Sequence, residues 1–289
     1  MSAIEQEVAS QPDVWAEAAA LAATDGLPPH GARIAVIGCG TSLFVGQSYA
    51  AAREEVGAGE SDAFAASEFP AGRRYDAVVA ISRSGTTTEV LDVLRSLPGT
   101  PTLAVTAVAE SPIAAAAERA VALPFADERS VVQTRAATAV LVMLRAHLGF
   151  DPASSIEAAR RVLAAPHPVA PEAFDRFHFL GRGWTLGLAS EAALKLREAG
   201  QAWAEAYPAM EYRHGPIALA DEHTAVLPLG PIDGPLADDV RRTGATLVAL
   251  DPDPLAALVA AQRLAVALAQ LKGLDPDLPR NLTRSVVLQ

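Results

Sequence analysis

Apolar positions between Leu186 and Gly200 recur on a helical period, with Leu188, Ala192, Ala193, Leu194, Leu196 and Ala199 taking most of the circumference. Glu191, Lys195 and Glu198 fall at i, i+4 and i+7, within about a third of a turn at ~100° per residue. The pattern predicts a mostly buried helix with one charged stripe. Such a stripe can be an exposed Glu–Lys pair worth roughly 0.2–0.5 kcal/mol. If buried, each charge must find a partner, because an unpaired one is costly enough to neutralise or move. Gly181-Arg-Gly183 before the helix and His214-Gly-Pro216 beyond it favour the buried reading.

The remainder alternates short apolar runs with helical periodicity. A leading helix is expected at Val14–Ala23. The strand Arg33–Gly38 then runs through Gly38-Cys-Gly-Thr-Ser42 into a helix from Leu43 to Val56. Strand Tyr75–Ile81 leads through Ser82-Arg-Ser-Gly-Thr-Thr-Thr88 to a helix at Glu89–Leu97. Next come strand Pro101–Thr106, a helix near Ile113–Glu118, strand Val121–Pro124 and helix Thr134–Leu148. Alternation of this kind implies a parallel sheet with helices on both faces.

Displacing Ile34-Ala-Val-Ile-Gly-Cys-Gly40 by 143 positions lands on Phe177-His-Phe-Leu-Gly-Arg-Gly183, with both glycines in register and Glu55 falling on Glu198. Thr224–Leu229, Thr246–Leu250 and a helix Leu255–Leu271 complete a second run. The expected fold is α/β, with two tandem doubly wound parallel-sheet (flavodoxin-like) domains, residues 1–152 and 153–289, divided in the proline-rich region between Asp151 and Pro171, which brackets a bridging helix. The same displacement sets Ala225-Val-Leu-Pro-Leu229 against Ser82-Arg-Ser-Gly-Thr86, so a hydroxyl-rich turn is expected in the first domain only.

That turn is the clearest candidate for ligand chemistry. Ser82, Ser84, Thr86, Thr87 and Thr88 offer hydroxyls and amides at a helix N-terminus, with Gly85 permitting close approach, as a phosphate requires. An ordinary N-cap is the plainer alternative, but a cap uses one hydroxyl rather than five.

Hydrophobic residues make up 51% of the 289, aromatics only 5% and charged residues 20%, the composition of a globular chain with ample core. A net charge of −11 argues against nucleic acid as a partner, while leaving room for a small phosphorylated molecule. Cys39 is the single cysteine, so no intrachain disulfide can form. The first residues lack a signal-peptide pattern, and no unbroken apolar run reaches the ~18 residues of a membrane span. A cytoplasmic location with no membrane association is expected. His30, His147, His167, His178 and His223 join no ligand-like cluster and read as structural or solvated.

Taken together, Gly38-Cys-Gly-Thr-Ser42, Ser82-Arg-Ser-Gly-Thr-Thr87, Glu191-Ala-Ala-Leu-Lys-Leu-Arg-Glu198, Glu205 through His214-Gly-Pro216, and the closing Pro279-Arg-Asn-Leu-Thr-Arg-Ser-Val286 resemble the sugar-isomerase (SIS) family. The closest resemblance is to the isomerase half of glucosamine-6-phosphate synthase, with its related deaminases and deglycases. The resemblance implies that Gly40, Thr41, Ser42, Ser82, Arg83, Ser84 and Thr87 hold a sugar phosphate. It also implies that Val131 and Gln133 touch the sugar, that Glu198 moves a proton between C1 and C2, and that Lys195 orients Glu198 or steadies enediol charge. His214, contributed by a neighbouring subunit, would help open the ring, which makes a homodimer with a shared active site the expected assembly.

Two departures stand out. Met1-Ser2 leads directly into the isomerase-like part, so no glutaminase segment is expected to supply ammonia. The family's Schiff-base lysine is replaced by Arg284, which stays protonated and is left with a binding role. The expected function is an amino-sugar phosphate isomerase/deaminase, acting on glucosamine 6-phosphate or a close relative without metal or other cofactor. The alternatives are a deglycase of phosphorylated fructosamine compounds and, from another class, a non-catalytic sugar-phosphate sensor.

Overall fold

The computed structural model describes residues 1–288. In chain order the regular elements are α1 (Ala3–Ala9), α2 (Gln11–Ala19), β1 (Ile34–Gly38), α3 (Thr41–Glu55), β2 (Ser61–Ala65), β3 (Ala77–Ile81), α4 (Thr88–Arg95), β4 (Thr102–Thr106), α5 (Pro112–Ala116) and β5 (Arg119–Ala122). They continue with α6 (Arg135–His147), α7 (Ala153–Ala164), β6 (Arg176–Gly181), α8 (Thr185–Glu198), β7 (Trp203–Pro208), β8 (Thr224–Pro228), α9 (Gly234–Arg242), β9 (Thr246–Leu247) and α10 (Pro254–Leu271). The chain divides into two compact units.

One unit comprises residues 13–129 and 133–152 with the closing stretch from Thr283. Its five strands are all parallel, in the order β2-β1-β3-β4-β5. The strands β1 and β4 are buried along their whole length, which is why Ile-Ala-Val-Ile and Leu-Ala-Val read as unbroken apolar runs. Order reverses at β1/β3, and in open α/β sheets the crevice beyond the strand ends at such a point is where ligands sit. Here the Gly38–Ser42 and Ser82–Thr88 turns occupy it. Arg53, buried on α3, donates to the carbonyls of Pro28, Pro29, Ala32 and Ala58 and to Ser61 Oγ, tying the entrance of β1 to that of β2.

The other unit comprises residues 1–12, 130–132 and 153–282. Its four parallel strands follow the order β7-β6-β8-β9, and the reversal falls at β6/β8. Helix α10 packs on α7 and α8. By length and composition it could cross a membrane, which a count of unbroken apolar runs overlooks because Gln262, Arg263 and Gln270 interrupt it; most of it is buried within the unit. Gln262 accepts from Gln11 Nε2 at 2.7 Å, and Arg263 donates to the carbonyls of Val162 and Ala165.

Ile34 pairs with Ala77, and Phe177 with Ala225, so the second sheet carries more chain between these partners than the first. By register the counterpart of Ser82-Arg-Ser-Gly-Thr86 is Gly230-Pro-Ile-Asp-Gly234; Ala225–Leu229, which a uniform displacement selects, is strand β8 and its end. Neither stretch carries a run of hydroxyls.

Four elements lie outside the sequence pattern read above. Helix α1 is announced by Ser2 and Glu5, which form a reciprocal capping box. The edge strands β2 and β7 are alanine-rich and half-buried, lacking clean alternation. Helix α9 is short and opens on Gly234-Pro235.

Each sheet presents its site through a tight strand–turn–helix passage. Gly40 and Gly183 both adopt φ +54°. A Cβ on Gly38 would lie 2.7 Å from the Ser42 carbonyl carbon, and one on Gly181 would lie 2.5 Å from Leu186 Cα. Because both obstructions are backbone, Gly38→Ala should cost at least ~2 kcal/mol. An equilibrium urea melt checks this, and a loss within ~0.5 kcal/mol would show that the passage has room to spare.

Candidate active site

Helix α8 buries Leu188, Ala189, Ala192, Ala193 and Leu196 around a charged stripe that is itself inside the unit. Lys195 Nζ stands 3.2 Å from Glu191 Oε1 and 2.6 Å from Glu198 Oε2. The side chains of Lys195 and Glu191 are 1% and 2% exposed, while that of Glu198 is 20% exposed. Burial pulls the Lys195 ammonium down, but Glu191 and Glu198 outweigh it and hold the group above the ordinary lysine value. Lys195 is therefore a fixed cation, and of the two carboxylates only Glu198 keeps an opening. Helix α8 ends on Glu198, and beyond it Gln201 takes φ +43° while Lys272 Nζ donates to the Gly200 and Gln201 carbonyls.

In the unit of the first sheet the hydroxyls of the Ser82–Thr88 turn converge. Ser82 Oγ accepts from Gly85 N at 3.2 Å and lies 3.1 Å from Thr87 Oγ1; Thr86 Oγ1 donates to Ser84 Oγ at 3.1 Å. The closing stretch enters this cluster. Ser285 Oγ lies 3.1 Å from Ser84 Oγ and 2.9 Å from Thr86 Oγ1, the Val286 carbonyl accepts from Thr88 N at the start of α4, and Leu288 N donates to Thr88 Oγ1. Thr41 and Ser42 are buried at the start of α3, and Gly40 is exposed.

The two arginines singled out for anion binding are engaged by protein groups. Arg83 is buried, with Nη1 3.5 Å from Glu128 Oε2 and Nη2 donating to the Arg284 carbonyl at 3.0 Å. Burial lowers its guanidinium from the ordinary value, with Glu128 opposing. Glu128, also buried, accepts from Thr134 N, Thr134 Oγ1 and Arg135 N, so it organises the start of α6. Arg284 donates to the Asp127 carboxylate and the Glu128 carbonyl. Gln133, Ser42 and Arg83 line one small cavity of about 10 Å³ with Thr106 and Ala136. Val131 belongs to the other unit, where its N–H donates to the Asp277 carbonyl.

His214 is exposed in the single-turn helix Glu211–His214. The neighbouring Tyr212 is fully buried, and its hydroxyl meets His178 Nδ1 at 2.7 Å. Sequence reading passed over Ser285, Asp127 and Tyr212. Only Ser285 had a signal, a hydroxyl inside the closing motif; the others are defined by what folding brings beside them.

Residues 30–148 match the SIS domain family. A glutamine–fructose-6-phosphate aminotransferase (isomerizing) from Thermus thermophilus is 30% identical over 319 residues, covering 89% of this chain and 52% of that protein. The chain thus spans about half the length of the curated relatives it matches. Among solved structures, a glucosamine-6-phosphate deaminase from Thermotoga maritima superposes with a TM-score of 0.82 at 25% identity, covering 99% of this chain and 100% of that one. The C-terminal domain of glucosamine-fructose-6-phosphate aminotransferase from Francisella tularensis shares the fold, with a TM-score of 0.78 at 23% identity over 96% of this chain and 98% of that one. Residues 30–148, which hold the first sheet, are thus a SIS domain, and the chain is similar to proteins of that kind across most of its length.

Proposed function

We propose that this chain is a phosphosugar enzyme of the aldose–ketose type, converting glucosamine 6-phosphate or a near relative, with water, into the ketose phosphate and ammonia. The observation that carries the reading is Glu198, a half-open carboxylate whose inner oxygen is held 2.6 Å from a buried lysine. Similarity to the Thermotoga maritima deaminase over the whole chain supports it.

In the open-chain 2-amino aldose, Glu198 takes the C2 proton through its outer oxygen and returns it to C1 while the amine gives up a proton and O1 gains one, leaving an imine at C2 and a hydroxyl at C1. Water adds there and ammonia leaves. A positioned base of this kind contributes ~10²–10⁴ in rate. Lys195 holds and aims Glu198, and His214 passes a proton to or from the ring oxygen. Ser82, Ser84 and Thr87 hold the phosphate, with Gly40, Thr41 and Ser42 beside them. Arg83 acts by fixing Glu128 and the loop that carries Gln133. Arg284, tied to Asp127 and Glu128, secures the closing stretch. We read the two sheets as copies of one doubled unit, and the working assembly as a cytoplasmic homodimer to which each chain lends a His214.

A panel of hexosamine 6-phosphates and fructosamine 6-phosphates, assayed for released ammonia against released amino acid, tests the reaction. Amino-acid release alone would replace it with the deglycase. Glu198→Gln should preserve the fold and sugar-phosphate binding yet lower kcat by ~10² or more; unchanged turnover would remove Glu198 from the chemistry.

Lys195→Met leaves Glu191 and Glu198 facing each other without a cation and should cost about 3–5 kcal/mol by urea denaturation at neutral pH. The sign with pH follows from the raised lysine value: the contribution is complete below about pH 10.4 and is lost as pH rises through the folded-state value, so the variant's deficit should shrink on the alkaline side.

Ser84→Ala combined with Thr87→Ala should raise KM for phosphorylated sugars at least ~10-fold more than for their unphosphorylated counterparts. Equal effects on both would count against the hydroxyl turn.

A further inference from the structure

A buried polar chain under the His214 turn has no part in the chemistry above. His178 sits on β6 with 0% exposure, and its Nδ1 is 2.7 Å from the Tyr212 hydroxyl. On its far side Nε2 lies 3.6 Å from Glu205 Oε2 on β7. The ring of Tyr207 stands edge-on to His178 at 5.8 Å between centroids, and Tyr212 closes the group at 5.7 Å from each. Burial pulls His178 below the ordinary imidazole range, with Glu205 opposing and Arg176 assisting. Burial likewise pushes Tyr212 well above the ordinary phenol value and Tyr207 up to about 12, with Glu205 adding to both. Because Nε2 faces the Glu205 carboxylate, the imidazole proton is assigned to Nε2, which leaves Nδ1 to accept from the Tyr212 hydroxyl.

The order of charge and hydroxyl is therefore Glu205, His178, Tyr212, and the last member is the anchor of a turn. In Glu211–His214, Tyr212 is the buried side chain, while Glu211 and His214 are exposed. Arg213 is pinned separately, by Asp239 at 2.5 Å and Asp233 at 3.3 Å. His214 thus follows two anchored residues and precedes Gly215, whose φ of +140° gives the chain its exit. Turns of this length have little hydrogen bonding of their own, so the direction of His214 depends on its anchors.

We infer that His178 is a positioning residue: through its hydrogen bond to Tyr212, itself oriented by Glu205, it fixes the turn that presents His214 to substrate. The inference rests on the role given to His214 above. A buried Tyr–His pair that served only stability would affect every step through loss of fold. A positioning pair acts through His214 and has no effect where His214 is absent.

The test combines turnover with a measurement that needs none. Tyr212→Phe should lower kcat by about tenfold or more with KM within about twofold, since small misplacements of a catalytic group are costly. On a His214→Asn background the same change should have no further effect on kcat, and losses that multiply would overturn the inference. His178→Gln, whose amide oxygen can accept the same hydroxyl proton, should retain more activity than His178→Leu. Equal loss would also count against it.

Independently of any substrate, hydrogen exchange in Tyr212→Phe should show the amides of residues 211–215 losing protection while those of β6 and β8 keep theirs. Unchanged protection in the turn sinks the positioning role even if no sugar on the panel is turned over. If the turn loosens but the wild type is inactive on every sugar, it is the enzymatic reading that fails.

Discussion

The charged face of α8 depends on one ammonium group set between two carboxylates. Taking Lys195, Glu191 and Glu198 out of water carries a desolvation cost that only close mutual pairing offsets. Helical spacing supplies that geometry within α8 alone, since i,i+4 and i,i+3 neighbours share a face. Leu188, Ala189, Ala192, Ala193 and Leu196 fill the buried face around the three charges, and the helix packs on β6, β7 and α10. What distinguishes Glu198 is that its position at the helix end leaves it partly uncovered.

The first-sheet unit shows what happens to the same position without that cation. Helix α3 ends on Glu55 as α8 ends on Glu198, yet Glu55 is exposed, and Ala52 and Ser48 stand where Lys195 and Glu191 would be. The divergence runs the other way in the turns. Ser82–Thr88 gathers hydroxyls at the head of α4, whereas the register-matched Gly230-Pro-Ile-Asp-Gly234 has none. Two similar strand–turn–helix passages thus carry different polar residues at their ends, while the strands that lead into them are both buried.

Arginines in the first-sheet unit are used as internal ties. Arg53 gathers four carbonyls from the segments that lead into β1 and β2. Arg83 and Glu128 join the hydroxyl turn to the head of α6, and Arg284 extends that link to the closing stretch. A guanidinium with several donors in a fixed plane can bridge more than two segments at once, which lysine at these positions could not do as well.

Much of this was legible in the residues. Unbroken apolar runs ending in glycine marked the central strands, the helical period of α8 placed its three charges on one face, and the crowding of serine and threonine marked the turn at α4. These are local properties, decided by neighbours within a few positions. Edge strands β2 and β7 escaped because half-buried alanines carry little pattern. Helix α10 was legible to within one residue, but composition does not separate a buried helix in a folded unit from a membrane helix.

Partnership was decided by tertiary structure alone. Nothing in the order of residues says that Arg83 is taken by Glu128, that Ser285 meets Ser84 and Thr86, or that His178, unremarkable on its strand, bonds Tyr212 two residues from His214. Sequence determines which groups are available and which face they share. Only packing between segments distant in the chain determines which polar group each is buried against, and it is that neighbour that fixes charge and orientation.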